Sequence, residues 1–302
     1  MAARRTTTPI PVSEIGGIIP PAVTPFDADG GIDEAAFRAQ IRWLLEAGVH
    51  GVAVGGSTGE GHALDARECA RLYRLAVREC RGRVPVVAGI IVDSTRDAVA
   101  RARMAAEAGC DALQITPVHY LFRPDDDHML KHFAAVGEAV DRPIFIYNVV
   151  PWTYLSPDLL VRIMKQVPNV MGVKQSAGDL KLFADLMLRA PREARILSAV
   201  DALMYPSFAL GAQGAIAAIL TAAPHACVAL WQAVQDGDHV RARDWHERLL
   251  PLWNAMLDDN LPAAVKAALE VQGVAGGLPR APMPPASTRQ RRAITRALKR
   301  LT

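Results

Sequence analysis

The chain of 302 residues is short of several things, and each shortage removes a class of function. No apolar run approaches the roughly 20 residues that a membrane-spanning helix needs. The segment Met1 to Pro11 carries Arg4 and Arg5 with no apolar stretch behind them, unlike a secretory leader. Neither sign of charge is in excess, with 31 acidic against 34 basic residues, so a small molecule is the expected partner, and neither nucleic acid nor a membrane is. Cysteine is down to Cys69, Cys80, Cys110 and Cys227, with no CxxC pair, which predicts buried reduced thiols in a cytoplasmic protein. Lysine is scarce as well, at six. Five of these, Lys131, Lys165, Lys181, Lys266 and Lys299, fall in stretches of helical periodicity where a solvated charge is ordinary; Lys174 does not.

What recurs instead is a short apolar run rich in Val, Ile and Ala, bounded by Gly, Pro or charge. The runs are Gly17 to Val23, Gly51 to Gly55, Val84 to Ile90, Ala112 to Thr116, Pro143 to Val149, Val170 to Gln175, Arg195 to Val200 and Gly214 to Ile219. Segments of helical period separate them, among them Glu34 to Ala47, Ala66 to Cys80, Thr95 to Ala108, Asp126 to Val140, Pro157 to Val167 and Leu180 to Arg189. Strands that do not alternate polar with apolar residues are covered on both faces, as parallel strands joined by crossover helices are. The pattern predicts an α/β fold, a (β/α)8 barrel. An open doubly wound sheet would carry a glycine-rich phosphate loop after its first strand, and Val23-Thr24-Pro25-Phe26 is not one. Residues 1–13 are expected to form a loose arm, 14–222 the barrel, and 223–302 a helical region. In that last region Pro224 to Gln235, His239 to Leu257, Ala263 to Val271 and a basic amphipathic tail read as helices serving assembly.

In a barrel the C-terminal strand ends share one mouth, where chemistry is expected. Lys174 follows Val170-Met171-Gly172-Val173 into that mouth. Desolvation there favours the free amine, the form that attacks a carbonyl carbon. Tyr147 ends the preceding strand, where a phenol in a hydroxyl chain relays protons. After the second strand comes Gly55-Gly56-Ser57-Thr58-Gly59-Glu60, a turn whose amides and hydroxyls suit a carboxylate. The same letters fit the G-x-S-x-G nucleophile elbow of hydrolases, but an elbow starts its helix just after the serine, and here Asp65 looks like the cap. Asp125, Asp126, Asp127, His128 and His132 could hold a metal on one helix face; caps at a helix start explain the aspartates as well, and the glutamate of HExxH is missing.

Together the GSTGE loop at Gly56 to Glu60, the IYNV strand end at Ile146 to Val149 and the GVKQSAGD segment at Gly172 to Asp179 resemble the class I pyruvate-dependent aldolases and lyases, the family of dihydrodipicolinate synthase and N-acetylneuraminate lyase. The resemblance runs from about Ile18 to Leu220. It implies that Lys174 forms a Schiff base with pyruvate or a related 2-oxo acid, with no cofactor and no metal. Tyr147 would shuttle protons, Ser57 would count with these two as catalytic, and Ser57, Thr58 and Gly59 would hold the carboxylate. Ile216 matches a position whose carbonyl faces the keto acid, and Ser176 one near the substrate. A homodimer or homotetramer is implied.

The departures bear on the second substrate. Where dihydrodipicolinate synthase has an arginine for that substrate's carboxylate, this chain has Trp152; its relay tyrosine after the fourth strand is replaced by His119, or by a shifted Tyr120. The glutamate by which the sialic acid lyase holds a sugar is Ala202, and a serine it uses is Ala218. A pocket with Trp152, Tyr154 and His119 around it is expected, with aldolase, dehydratase and synthase activities all open. A barrel that binds 2-oxo acids without turning them over, and a hydrolase centred on Ser57, are the rival readings.

Overall fold

The computed structural model describes residues 10–301; most of the expected N-terminal arm lies outside them. Eight parallel strands form one sheet: β1 (Gly17–Ile18), β2 (Val52–Val54), β3 (Val86–Ile90), β4 (Ala112–Ile115), β5 (Ile144–Asn148), β6 (Val170–Gln175), β7 (Arg195–Ser198) and β8 (Gly214–Ala215). From β2 to β8 each strand pairs with the next in sequence, β8 returns to β1, and an isolated bridge from Pro21, beyond β1, to Ala53 of β2 closes the curl of the sheet into a barrel. The fold is a (β/α)8 barrel with a C-terminal helical extension. The interior is packed by Ile15, Ile19, Ala53, Val87, Ala112, Phe145, Leu197 and Ile216, drawn from in or beside every strand of the ring except β6, as a filled barrel requires.

Helices α1 (Glu34–Glu46), α2 (Ala66–Cys80), α3 (Thr95–Glu107), α4 (Asp126–Ala139), α5 (Pro157–Gln166) and α6 (Leu180–Arg189) clothe the outside. Each starts at an Asp or Ser whose side chain accepts from the first-turn amides: Asp33, Asp65, Ser94, Asp125, Ser156 and Asp179. Such a cap satisfies donors that a helix start leaves orphaned, and here it fixes where each loop of the mouth must end. Asp125 is thus a cap, and His128 leans on its carboxylate. His132 turns inward to Thr95 at 3.0 Å, and burial lowers its pKa to about 4.

Two short helices, α7 (Met204–Ala209) and α8 (Ala218–Ala222), escape the sequence reading, and α8 begins inside the apolar run assigned to the last strand. Then come α9 (Pro224–Gln235), α10 (His239–Met256), α11 (Leu261–Val271) and α12 (Thr288–Leu298). On α12 Ile294, Ala297 and Leu298 are buried while the arginines stay outside, the docked amphipathic tail expected. These helices share one continuous core with the barrel. Among the described residues no helix is long and apolar enough to cross a membrane, and all four cysteines are free and buried. One expectation fails: Lys266 on α11 is not a solvated charge but is buried and paired with Glu60.

Candidate active site

The strand ends converge on a cavity of about 420 Å³. Lys174 on β6 stands opposite Tyr147 on β5 in the parallel register, just beyond an irregularity between Ile144 and Phe145 that shifts the pairing by one residue. At Gly172, two residues before Lys174, there is no room for a side chain: an added Cβ would run into the Arg195 carbonyl oxygen and lie 2.9 Å from the Phe145 ring. The Lys174 amine sits 3.6 Å from the centroid of the Tyr147 ring and the residue is 4% exposed. Burial lowers its pKa from 10.5 to about 7, with the Asp201 carboxylate pulling the other way. That shift amounts to something on the order of 5 kcal/mol in favour of the free amine.

Burial acts oppositely on Tyr147, whose pKa rises to about 12, with the Ser57 hydrogen bond holding it back in part. The phenol therefore stays protonated and donates to Ser57 Oγ at 3.0 Å. Ser57 and Thr58 line the cavity. The amides of Gly59, Glu60 and Gly61 close on the Gly56 and Ser57 carbonyls, whereas those of Ser57 and Thr58 meet no carbonyl among the described residues. Gly59 itself lies behind the lining: its carbonyl accepts from Thr24 Oγ1 at 2.7 Å, and a Cβ there would come within 2.8 Å of the Ala22 carbonyl. After this loop comes a single 3-10 turn at Gly61–Ala63, and the α-helix starts only at Ala66, behind a capping box of Asp65 and Glu68, so Ser57 does not sit on a strand-to-helix elbow.

Ser176 and Ile216 line the cavity with Lys174. His119, Trp152 and Tyr154 do not. The His119 imidazole turns to Asp93 at 3.1 Å, Tyr154 donates to the Ser176 carbonyl at 3.3 Å, and Trp152 is 71% exposed with its indole N–H on the His119 carbonyl. The rings that line the cavity are those of Tyr147, Trp253 and His62, the last from the turn after the GSTGE loop.

Sequence reasoning missed what the C-terminal region brings, namely Trp253, Asp259, Leu261, Pro262 and Met283, having given that region to assembly. It also passed over Asp201, which lines the cavity beside Lys174 and accepts from the Ile219 amide of α8 at 2.6 Å. Burial lifts the Asp201 pKa to about 6, less than it would without that amide. Its signal was its place, immediately after the seventh apolar run. Among the described residues no cluster of metal-ligating side chains occurs.

A lysine poised as a free amine, a neutral phenol and a hydroxyl-bearing loop at a barrel mouth are what imine chemistry on a keto acid needs. The comparisons agree. Residues 14–301 match the model of the Dihydrodipicolinate synthetase family. This chain belongs to that family. It is 37% identical over 291 residues to the 4-hydroxy-tetrahydrodipicolinate synthase of Methanopyrus kandleri, covering 95% of this chain and 97% of that one. Dihydrodipicolinate synthase from Aquifex aeolicus has a similar structure, with a TM-score of 0.89 and 28% identity across 94% of this chain and 97% of that one. So does a prophage protein of the dihydrodipicolinic acid synthase family from E. coli K12, determined in complex with pyruvate, with a TM-score of 0.90 and 27% identity across 95% and 98% of the two chains. Like the rest of the dihydrodipicolinate synthetase family, the chain is an enzyme, a Schiff-base-forming lyase or aldolase acting on pyruvate or a related 2-oxo acid.

Proposed function

We propose that the enzyme makes or breaks the carbon–carbon bond next to a pyruvoyl unit, or dehydrates a 2-keto-3-deoxy acid, through an imine on Lys174. The observation that carries this is the buried amine with a pKa of about 7 beside the protonated phenol of Tyr147. In this reading the amine adds to the keto carbon, Tyr147 protonates the departing hydroxyl as water leaves, and Ser57 passes a proton back to the phenol. The substrate carboxylate rests on the amides and hydroxyls of Ser57 and Thr58, with the Ile216 carbonyl and Ser176 alongside. The iminium then accepts the electron pair of the breaking bond, or loses a proton to give an enamine that attacks a second carbonyl. Incubation with pyruvate and borohydride, followed by intact mass and peptide mapping, is expected to give one adduct on Lys174 and none in Lys174→Ala. An adduct elsewhere, or none, would overturn the reading.

The second substrate is read from the cavity's charges. Beside Lys174 its lining holds Asp201, Asp259 and His62 but no arginine, and Trp152, where an arginine fork would stand, faces outward. Arg123 leans on Asp126 at 3.5 Å instead. A missing charge-assisted pair weakens a carboxylate-bearing partner by about 1.5 to 3 kcal/mol, so aspartate semialdehyde is expected to react poorly beside neutral aldehydes. The named relatives make efficient synthase activity the rival outcome, and parallel steady-state assays with pyruvate separate the two.

The hydroxyl chain from Tyr147 ends at Ser57 among the described residues. Tyr120 is exposed, next to Leu121 and Phe122, and a second copy of the chain in a dimer or tetramer would deliver it to complete the relay. A cytoplasmic location belongs to the same reading and fits four thiols left free.

A further inference from the structure

The GSTGE loop ends on a side chain that the chemistry above does not use. Glu60 is 1% exposed and holds a left-handed φ of 55°, a conformation that crowds the Cβ against the backbone and is unfavourable for any residue but glycine. Its carboxylate is gripped from the far end of the chain. The Lys266 ammonium on α11 donates to it at 2.6 Å and the Arg280 amide at 2.9 Å. Lys266 is itself 2% exposed, and also donates to the Leu278 carbonyl at 2.6 Å. The Arg280 guanidinium is fixed by Glu68 and by the Ala63 and Gly30 carbonyls. Residues 206 positions apart thus meet directly behind the turn that carries Ser57 and Thr58.

A buried ion pair is a poor way to gain stability, since packed apolar residues of equal volume often do as well. Its effect here is geometric. Holding Glu60 left-handed directs the Gly59, Glu60 and Gly61 amides onto the Gly56 and Ser57 carbonyls, and this closed turn leaves the Ser57 and Thr58 amides unspent at the cavity.

We propose that Glu60 and Lys266 are positioning residues for the carboxylate of the 2-oxo acid, so that the C-terminal helical region governs affinity through a side chain, Lys266, that lies behind the loop and not in the cavity lining. This rests on the reading that Ser57 and Thr58 hold that carboxylate.

The test follows borohydride trapping on Lys174 against pyruvate concentration and, separately, with acetone, which has the keto group without the carboxylate. Two variants are used. Glu60→Gly removes the tether while leaving the left-handed backbone unstrained; the double variant Glu60→Gln, Lys266→Met removes both charges so that neither is stranded. In both, the half-saturating pyruvate concentration is expected to rise about tenfold or more with the limiting rate within about threefold of wild type, the signature of lost binding and not of lost chemistry. The second-order rate with acetone is expected to stay unchanged. Pyruvate saturation like that of wild type overturns the proposal, as does an equal fall with acetone and pyruvate, or failure of both variants to fold by circular dichroism; each would leave the pair a structural one. No adduct in the wild type would remove the underlying reading first, a result distinct from equal trapping in all three proteins.

Discussion

Lys174 earns its place by what surrounds it, not by its position alone. An ordinary lysine with a pKa near 10.4 has well under a thousandth of its amine free at pH 7; with a pKa of about 7, roughly half is free. The trapping rate should therefore climb with pH and level off above about 7. Asp201 raises the Lys174 pKa by stabilising the ammonium, so removing its charge must move the midpoint to lower pH. Asp201→Asn, which keeps an oxygen for the Ile219 amide, is expected to do so in a pH profile of initial trapping rate with pyruvate. A midpoint that stays put or rises would show that Asp201 does not act on the amine. Lys174 and Tyr147 were legible because each closes an apolar run at a predictable end of a strand. Asp201 was marked only by standing just after the seventh run, and Lys266 by nothing local, because what distinguishes both is contact with groups far away in the chain. Trp152 was misleading for a similar reason: its place in sequence pointed to the cavity, while its indole is drawn to the His119 carbonyl outside.

Among the elements, the strands and the barrel helices were readable because the strands are buried on both faces and each of α1 to α6 has an Asp or Ser cap. Val170–Gln175 is a strand over the very residues expected. The last run was read as strand through Ile219, yet it turns helical at Ala218, since an unbroken apolar stretch looks the same in a buried strand and a buried helix. The offset between β5 and β6 that aligns Tyr147 with Lys174 was also invisible, because register depends on packing and not on composition. Gly172 bears on that alignment. A methyl group there meets the Phe145 ring and the Arg195 carbonyl, so Gly172→Ala must push β6 from its neighbours. Overpacking of this kind costs about 1 to 3 kcal/mol, and thermal melting is expected to fall by several degrees together with the trapping rate. Gly178→Ala, where the added methyl meets nothing, serves as the control. Equal melting temperatures for the two variants would show that the strand yields easily.

For the whole molecule, the open matter is what covers the surface beside the mouth. Tyr120, Leu121, Phe122 and Trp152 are all more than half exposed, and the Trp152 indole bonded to the carbonyl just before Tyr120 joins them into one apolar face. Large apolar groups clustered on a surface mark an interaction site more often than singly scattered ones do. Among the described residues the hydroxyl relay stops at Ser57, so a second copy seated on this face would both cover it and bring a phenol near the site. Leu121 is the residue to change, because its φ of 64° is left-handed, a conformation that aspartate tolerates better than leucine. Leu121→Asp therefore adds a charge to the face without straining the backbone. Sedimentation velocity at micromolar concentration is expected to show an oligomer for the wild type and a smaller species for the variant. Imine formation should slow with dissociation, and Tyr120→Phe should slow it while leaving the oligomer intact. A monomeric wild type with full activity would mean that the face is covered by something other than a second copy and that solvent, reaching Ser57 through the mouth, completes the relay.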